Sequence, residues 1–483
     1  MTQAAPFDIL IRNALLMDGD GGAPVRGNLA VKGGKIVGVG AVEGEAAQVI
    51  DAEGLALSPG FIDVHTHDDR LVRDYPEMTP KVSQGVTTVI TGNCGISLSP
   101  LVPAAEPPAP LTLLGGQADY RHQTVADYRK AVTASKPAIN VGMLIGHTTL
   151  RVATMDHPFR ATTADERARM EELLEEGMQA GALGLSSGVF YKAGANADIN
   201  ELIQMAKVAA KHGGVYTTHI RDEYEKVIDA LAEAADTAKE AGLPLVISHH
   251  KCAGPDNWGK TLKTLPYLAE RRKHQPLAQD AYPYIAGSTV LEPDMVDTRI
   301  RIMIAWSKSF PEMAGRDLSD IAKEWGIEQV EAAKKLHPAG AVFFQMDEAD
   351  VRRVLSDPHT MIGSDGLPHD AHPHPRLWGT FPRVLGLYAR QEGLFTQAEA
   401  VRRMTGLAAD SFGIKDRGRL KVGLAADLVL FDPDSIIDRA TFDSPLQQAQ
   451  GIRAVFVNGV ETFRDGRETG LRGGIVLDRR AAA

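Results

Sequence analysis

The sequence predicts an α/β protein: a (β/α)8 TIM-like barrel joined to a small β-sandwich domain, with a lobe inserted between barrel strands seven and eight. Three observations predict it. Eight apolar segments alternate with amphipathic helical stretches through the middle of the chain. Both ends are instead rich in short strands punctuated by glycine and aspartate. The 483 residues also exceed the roughly 250–300 that one core organises, so two domains are expected.

The N-terminal strand candidates are FDILIRNALLMDG, GNLAVKGGKIVGVG and AQVIDAEGLALSPG. The C-terminal ones are RGRLKVGLAADLVLFDPD, IRAVFVNGVETFRDG and GGIVLDRR. Neither end has many strands alone, and terminal strands commonly tie down by joining a sheet. The two ends, residues 1–60 and 415–483, are therefore expected to pair into one β domain.

Residues 61–414 carry the barrel pattern. The candidate strands are GFIDVHTH, GVTTVITGNC, INVGMLIGH, ALGLSSGVF, GVYTTHI, LPLVISHH, LAQDAYPY and TMIGSD. They read as continuous apolar runs, as parallel strands buried on both faces do. Stretches such as TADERARMEELLEEGMQAG and ELIQMAKVAAKHGG supply the helices between them. A doubly wound sheet is the alternative, but no G-x-G-x-x-G turn follows GFIDVHTH. Two parts break the repeat. Residues 101–118 form a Pro-rich loop, and residues about 286–345 are too long for one crossover helix and read as an inserted lobe. The lobe begins just past a strand's C-terminal end, where barrels build active sites.

Composition narrows the classes. Hydrophobic residues make up 44% and charged residues 24%, as in an ordinary globular enzyme. The net charge is -10 and no Lys/Arg-rich run interrupts the acidity, which argues against nucleic acid as a partner. No stretch has the 18 or so apolar residues of a membrane helix, and Asp8 and Arg12 interrupt the N-terminal apolar residues, unlike a signal peptide. Two cysteines, Cys94 and Cys252, exclude a disulfide framework and suit a reducing cytoplasm. Oligomeric state is not legible.

The chemistry-bearing residues fall at strand ends. His65 and His67, two apart in GFIDVHTHDD, point the same way from a strand and lie about 6.6–7 Å apart along it. Two imidazoles so placed can share an ion, or can simply be polar residues entering a loop. Cys94 ends the second strand; a thiolate is a strong zinc ligand, although free Cys is usually a small buried hydrophobe. A nucleophilic Cys is a third option. His219 and His249 close strands five and six, and His250 faces the opposite way from His249. Asp365 closes strand eight, as metal ligand, general base or turn former. The recurrence decides between these readings. Strands one, two, five, six and eight each end in a ligand or carboxylate. That set suits zinc, which activates water and polarises a carbonyl, with a carboxylate moving protons: amide hydrolysis without a covalent intermediate.

The pattern resembles the amidohydrolase superfamily, and within it the D-aminoacylase (N-acyl-D-amino-acid deacylase) family, nearly end to end. PGFIDVHTHDD, KVSQGVTTVITGNCGIS, GHTTLR, THIRDE, VISHHK, AYPYIAGST and IGSDGLPHDAHPHPRLWGTFPRVLG look like its landmarks. TGNCGIS is the most specific, and ALGLSSGVFY has no lysine to bridge two metals as hydantoinase-like relatives do. The resemblance implies one tight zinc held by Cys94, His219 and His249. His65, His67 and Asp365 would frame a second, weaker position, with Asp365 as catalytic acid/base. It further implies substrate-carboxylate contacts from Lys251, Tyr282 and Arg376, with Tyr191 and Ser288 close by. The substrate would be a small N-acyl-D-amino acid, with Phe190 and residues 288–299 in the pocket wall. Those residues carry Glu292, Asp294 and Asp297 and a single Arg299, which favours neutral or apolar side chains. N-acyl-D-glutamate or N-acyl-D-aspartate, and a cyclic amide, are the alternative substrates.

Overall fold

The computed structural model describes residues 6–479. The outermost residues of the expected β domain, 1–5 and 480–483, lie outside the described residues. All eight expected barrel strands form. They are β1 (Phe61–Asp63), β2 (Val86–Thr91), β3 (Asn140–Gly146), β4 (Gly184–Gly188), β5 (Val215–His219), β6 (Leu245–Ile247), β7 (Leu277–Ala281) and β8 (Thr360–Ile362). Neighbours pair in parallel in sequence order from β1 to β8. The ring closes just past the strand ends: Thr66 bridges Gly366 in parallel, and Asp365 N donates to His65 O at 2.7 Å.

The apolar runs become strands with two buried faces. Leu144 and Val246 point into the barrel with Ile62, Ile90, Val215 and Met361. Their neighbours Ile145, Leu245 and Ile247 point out, against helix residues such as Leu174, Met205 and Leu231. This is the period-two alternation of a strand, apolar on both sides because helices cover the outside. The stretch TADERARMEELLEEGMQAG yields the helix Ala164–Gln179. Its start is fixed by a reciprocal cap in which Glu166 N donates to Thr163 Oγ1 and Thr163 N donates to Glu166 Oε2.

Strands from both chain ends share one nine-stranded sheet, joined where Leu428–Phe431 runs antiparallel to Ala56–Pro59. Leu428 and Leu430 turn inward to meet Ile11, Leu29 and Leu57, while Val429 and Phe431 pack on the barrel's own core. The sheet folds back on itself: Ile36 N donates to Leu424 O and Ala426 N donates to Gly34 O, both at 2.9 Å. Between β7 and β8 sits a three-stranded antiparallel sheet, Gly287–Val290, Ala339–Phe343 and Ile302–Ser307, backed by the helices Leu318–Trp325 and Gln329–Leu336. Leu291, Ile304, Leu318, Ile321 and Phe343 give this lobe its own core. No helix among the described residues is long and apolar enough to cross a membrane.

A buried charge cluster holds the barrel seam. Lys81 and Asp63 are fully buried, with Nζ 2.7 Å from Asp63 Oδ2. Lys81 also donates to Thr66 Oγ1 and Ser364 Oγ, and lies 3.2 Å from Asp68. Asp63 Oδ1 accepts the backbone N–H of Ser364 at 2.8 Å, tying β1 to the turn after β8. Removing one partner of a buried pair strands the other charge, which costs about 3–5 kcal/mol. Lys81→Ala should therefore lower unfolding free energy by about that amount in urea denaturation. A loss under about 1 kcal/mol, the range of an exposed pair, would show that the seam does not depend on this cation.

Candidate active site

The strands end earlier than the sequence alone suggests, and the ligand-type residues sit on the turns just beyond them. β1 stops at Asp63 before His65, β2 at Thr91 before Cys94, β6 at Ile247 before His249, and β8 at Ile362 before Asp365. Cys94, His249 and Asp365 all have left-handed backbone, with φ of 53°, 36° and 49°. That conformation is disfavoured for residues with a Cβ and persists where surrounding structure imposes it, commonly at functional sites. Here it turns three side chains off the strand direction and toward one another. Of the strand-end residues named from sequence, His219 is the one that remains within its strand.

The turns bring the predicted residues together. His65, His67, Cys94 and Asp365 offer ligand atoms all within 4.8 Å of one another, and so do Cys94, His219 and His249. Cys94 Sγ lies 3.2 Å from His65 Nε2 and 3.4 Å from His249 Nε2. Asp365 Oδ1 lies 3.2 Å from His67 Nε2 and 3.5 Å from His65 Nε2. Ligands bound tetrahedrally at 2.0–2.3 Å stand about 3.3–3.7 Å apart, so these separations suit a zinc-sized ion. His219 is buried with both ring nitrogens lacking hydrogen-bond partners, as is His67 Nδ1. Such atoms are costly unless something binds them. The donor set, a soft thiol with imidazoles and a carboxylate, fits zinc.

Electrostatics agree. Burial alone would raise the Cys94 thiol, but the His65 and His249 imidazoles outweigh it and hold it well below the usual thiol range. Burial would likewise raise Asp365, yet the Arg376 guanidinium and His65 keep it well below the usual carboxylate range. Burial opposes the charge on His67, and the hydrogen bond to Asp365 overrides it, pushing the imidazole up to about 9. The thiol and carboxylate thus favour the charged forms of His65 and His67, while burial pushes the His219 imidazole down. A bound cation would take the place of the protons on His65 and His67.

The five expected substrate contacts also converge. Arg376 stacks on the Tyr282 ring at 4.5 Å, and Lys251 Nζ lies 5.9 Å from the same ring centroid. Ser288 O accepts from Arg376 Nη2 at 3.1 Å, and Ser288 Oγ is buried without a partner. The Tyr191 ring lies 5.0 Å from His219, with its hydroxyl 3.0 Å from Thr289 Oγ1. Both cations already face a carboxylate. Arg376 Nη1 is 2.8 Å from Asp365 Oδ2, and Lys251 Nζ is 2.6 Å from Glu223 Oε1. His250 points away, bonded to Gln279 and Thr264, as its place next to His249 requires.

Two carboxylates were not foreseen. Asp280, on β7, sits 3.3 Å from His65 Nδ1 and accepts the His249 N–H at 2.8 Å. Glu223 sits 3.1 Å from His249 Nδ1 and 3.6 Å from His219 Nε2. Asp280 stands behind the outward nitrogen of His65, the role carboxylates play behind metal-bound histidines, while the outward nitrogen of His249 meets both Glu223 and, at 2.7 Å, Lys251 Nζ, which Glu223 also holds. The sequence held signals for both: an aspartate inside the apolar run LAQDA, and an acid four residues after His219 in THIRDE. A cleft of ≈ 770 Å³ leads away from this cluster, lined by Phe190, Tyr191, Tyr224, Met295 and Asp297 among others. Phe190 stacks on His219 at 5.0 Å, so the cleft reaches the cluster itself.

A parallel barrel with buried imidazoles, a thiol and a carboxylate at its C-terminal mouth defines a class, the metal-dependent hydrolases. Within it this chain belongs to the amidohydrolase family, whose profile matches residues 48–290 and 312–463. D-aminoacylase of Alcaligenes xylosoxydans xylosoxydans is 48% identical over 482 residues, covering 100% of this chain and 99% of that protein. A crystal structure of D-aminoacylase superposes with a TM-score of 0.96 at 47% identity, covering 98% of this chain and 100% of that one. N-acyl-D-glutamate deacylase from Bordetella bronchiseptica, solved with zinc and a phosphonate mimic of the tetrahedral intermediate, gives 0.94 at 43% identity, covering 98% and 99%.

Asp280→Asn tests the carboxylate behind His65. Its amide supplies a weaker acceptor to the imidazole, and such changes typically cost 10–100-fold in metal affinity. Chelator competition followed by metal analysis should show that loss. Wild-type retention would mean that Asp280 only shapes the turn at His249.

Proposed function

We propose that this chain is a zinc-dependent, cytoplasmic N-acyl-D-amino-acid deacylase that prefers neutral or apolar D-side chains. The observation that carries the reading is the shared cluster of Cys94, His65, His67, His219, His249 and Asp365, within a chain similar over its full length to D-aminoacylase. Cys94, His219 and His249 would hold the tight zinc. His65, His67, Cys94 and Asp365 would frame the weaker position. When bound, the metal supplies an acidified water and a Lewis acid for the scissile carbonyl.

The protein's own groups do the rest. Asp365, kept ionised by Arg376, accepts the proton of the attacking water and returns it to the leaving nitrogen. Arg376, Lys251 and Tyr282 receive the substrate α-carboxylate, with Tyr191 and Ser288 beside it. The Nε of Arg376 is buried with no hydrogen-bond partner and so has a donor free for this. With the carbonyl and the α-carboxylate both fixed, one direction stays open for the Cα substituent, so one enantiomer is accepted. The likeness to D-aminoacylase makes that hand D.

The cleft supports the side-chain preference. Phe190, Tyr191, Tyr224, Met295 and Val296 give it apolar walls. Its carboxylates are Asp222, Glu225, Glu292, Asp294 and Asp297, against Lys192 as the lysine among its lining residues. Lys192 is engaged by Glu292 at 2.7 Å and Asp294 at 3.3 Å. An anionic side chain would meet net negative charge there, so acyl-D-glutamate or acyl-D-aspartate is the weaker reading.

Cys94→Ala should lose the tight zinc by metal analysis. Asp365→Asn should keep zinc in the Cys94 site while kcat falls roughly 10²–10⁴-fold, the usual worth of general acid/base help. Full zinc in the first variant, or kcat within threefold of wild type in the second, would remove the assigned role. For substrate, N-acetyl-D-methionine should be hydrolysed and its L isomer not. N-acetyl-D-glutamate should be slower by roughly one to two powers of ten in kcat/KM, given about 1.5–3 kcal/mol for an unmatched charged group. Equal turnover of both methionine isomers would overturn the D assignment, and faster glutamate turnover would overturn the side-chain preference.

A further inference from the structure

A second cavity of ≈ 420 Å³ lies between the two segments that break the barrel repeat. The Pro-rich loop contributes Pro107, Pro108, Thr112 and Leu113, and the lobe contributes Val290 and Trp306. Glu106 on the loop faces Lys308 on the lobe at 3.8 Å across its rim. Asp370, five residues after Asp365, also lines it and lies within electrostatic reach of Arg376 and His67. Val290, which lines the larger cleft as well, shares a strand face with Ser288, whose carbonyl accepts from Arg376. The cavity therefore adjoins the His67 and Asp365 side of the cluster. The larger cleft adjoins the His219 side through Phe190.

An N-acylated amino acid has two arms. A trans amide sends the acyl group and the amino-acid part in opposite directions from the C–N bond. If the larger cleft takes the D-side chain, as the proposed function has it, the acyl arm is left with the smaller cavity. An acetyl group would fill little of it: the volume is nearly three times the roughly 150 Å³ that accommodates benzene. Pro107, Pro108, Leu113, Val290 and Trp306 give it an apolar side beside the ionisable Arg70, Glu106, Lys308, His337, His369 and Asp370, and that apolar side suits an alkyl or aromatic tail, because each methylene moved out of water is stabilising.

We infer that the cavity between the loop 101–118 and the inserted lobe is an acyl-binding site, which makes medium-chain or aromatic N-acyl-D-amino acids better substrates than N-acetyl ones. This rests on the deacylase reading above.

The test uses the zinc-loaded enzyme with N-acetyl-, N-butanoyl- and N-hexanoyl-D-methionine. kcat/KM should rise roughly two- to fourfold per added methylene, mainly through KM. A profile that is flat or falls beyond acetyl overturns the inference while leaving the deacylase reading intact. No turnover of any of the three sinks both. Thr112→Trp, which fills the cavity from a half-buried position, should cut the hexanoyl-to-acetyl ratio of kcat/KM at least tenfold. It should leave the ratio of N-acetyl-D-methionine to N-acetyl-D-phenylalanine in place. A shift in the side-chain ratio instead would give this cavity to the amino-acid arm and overturn the assignment. The wild-type chain-length series decides the matter even if the variant folds poorly.

Discussion

Asp63 holds both ends of the barrel, and the active-site geometry depends on that grip. One of its oxygens takes the Ser364 N–H and the other takes the Lys81 ammonium, while Lys81 reaches Thr66 and Ser364 as well. The first and last strands have no ladder between them, so this polar cluster and the Thr66–Gly366 bridge make the closure. His65 and His67 leave one side of the seam and Asp365 leaves the other. If the seam slipped by one residue, the paired imidazoles and the carboxylate would face different sides. The closure is made by polar side chains as well as by backbone. It is also directional, and direction is what an ion site needs.

The same economy runs through the site. Nearly every buried charge faces an opposite one: Lys251 meets Glu223, Arg376 meets Asp365, and His65 meets Asp280. Burial makes these charges expensive alone and strongly coupled together. The result is a buried cluster in which Asp280 stands behind His65, and Glu223 and Lys251 together stand behind His249. Arg376 plays two parts, keeping Asp365 ionised and presenting donors beside Tyr282.

The two insertions give the barrel mouth its shape. A (β/α)8 ring presents its chemistry on an open face. The lobe after β7 and the loop after β2 stand over that face and divide it. Ala109, Val290 and His337 belong to both cavities and form the partition. One side carries aromatic rings up to His219, and the other has Asp370 in its lining. The mouth of the barrel is thus divided into two spaces that share one wall.

The sequence by itself determined the barrel strands, the pairing of the two ends and the chemical types at the site. Those features are local: apolar runs, glycine turns, H-x-H, a cysteine in TGNCGIS, an aspartate before a glycine. Tertiary structure decided the rest. Strand ends moved back by two or three residues because Cys94, His249 and Asp365 adopt left-handed turns that a residue pattern does not display. Glu223 and Asp280 became partners of His249 and His65 only when the ring brought separate strands side by side. Lys81 opens the landmark KVSQGVTTVITGNCGIS, and only closure of the ring buries it against Asp63. The second cavity needed three segments, around residues 107, 306 and 370, to meet across the mouth. Composition and period fix what each segment is. Which groups touch across nearly 300 residues of chain depends on the closure of the ring, and closure is a property of the whole fold.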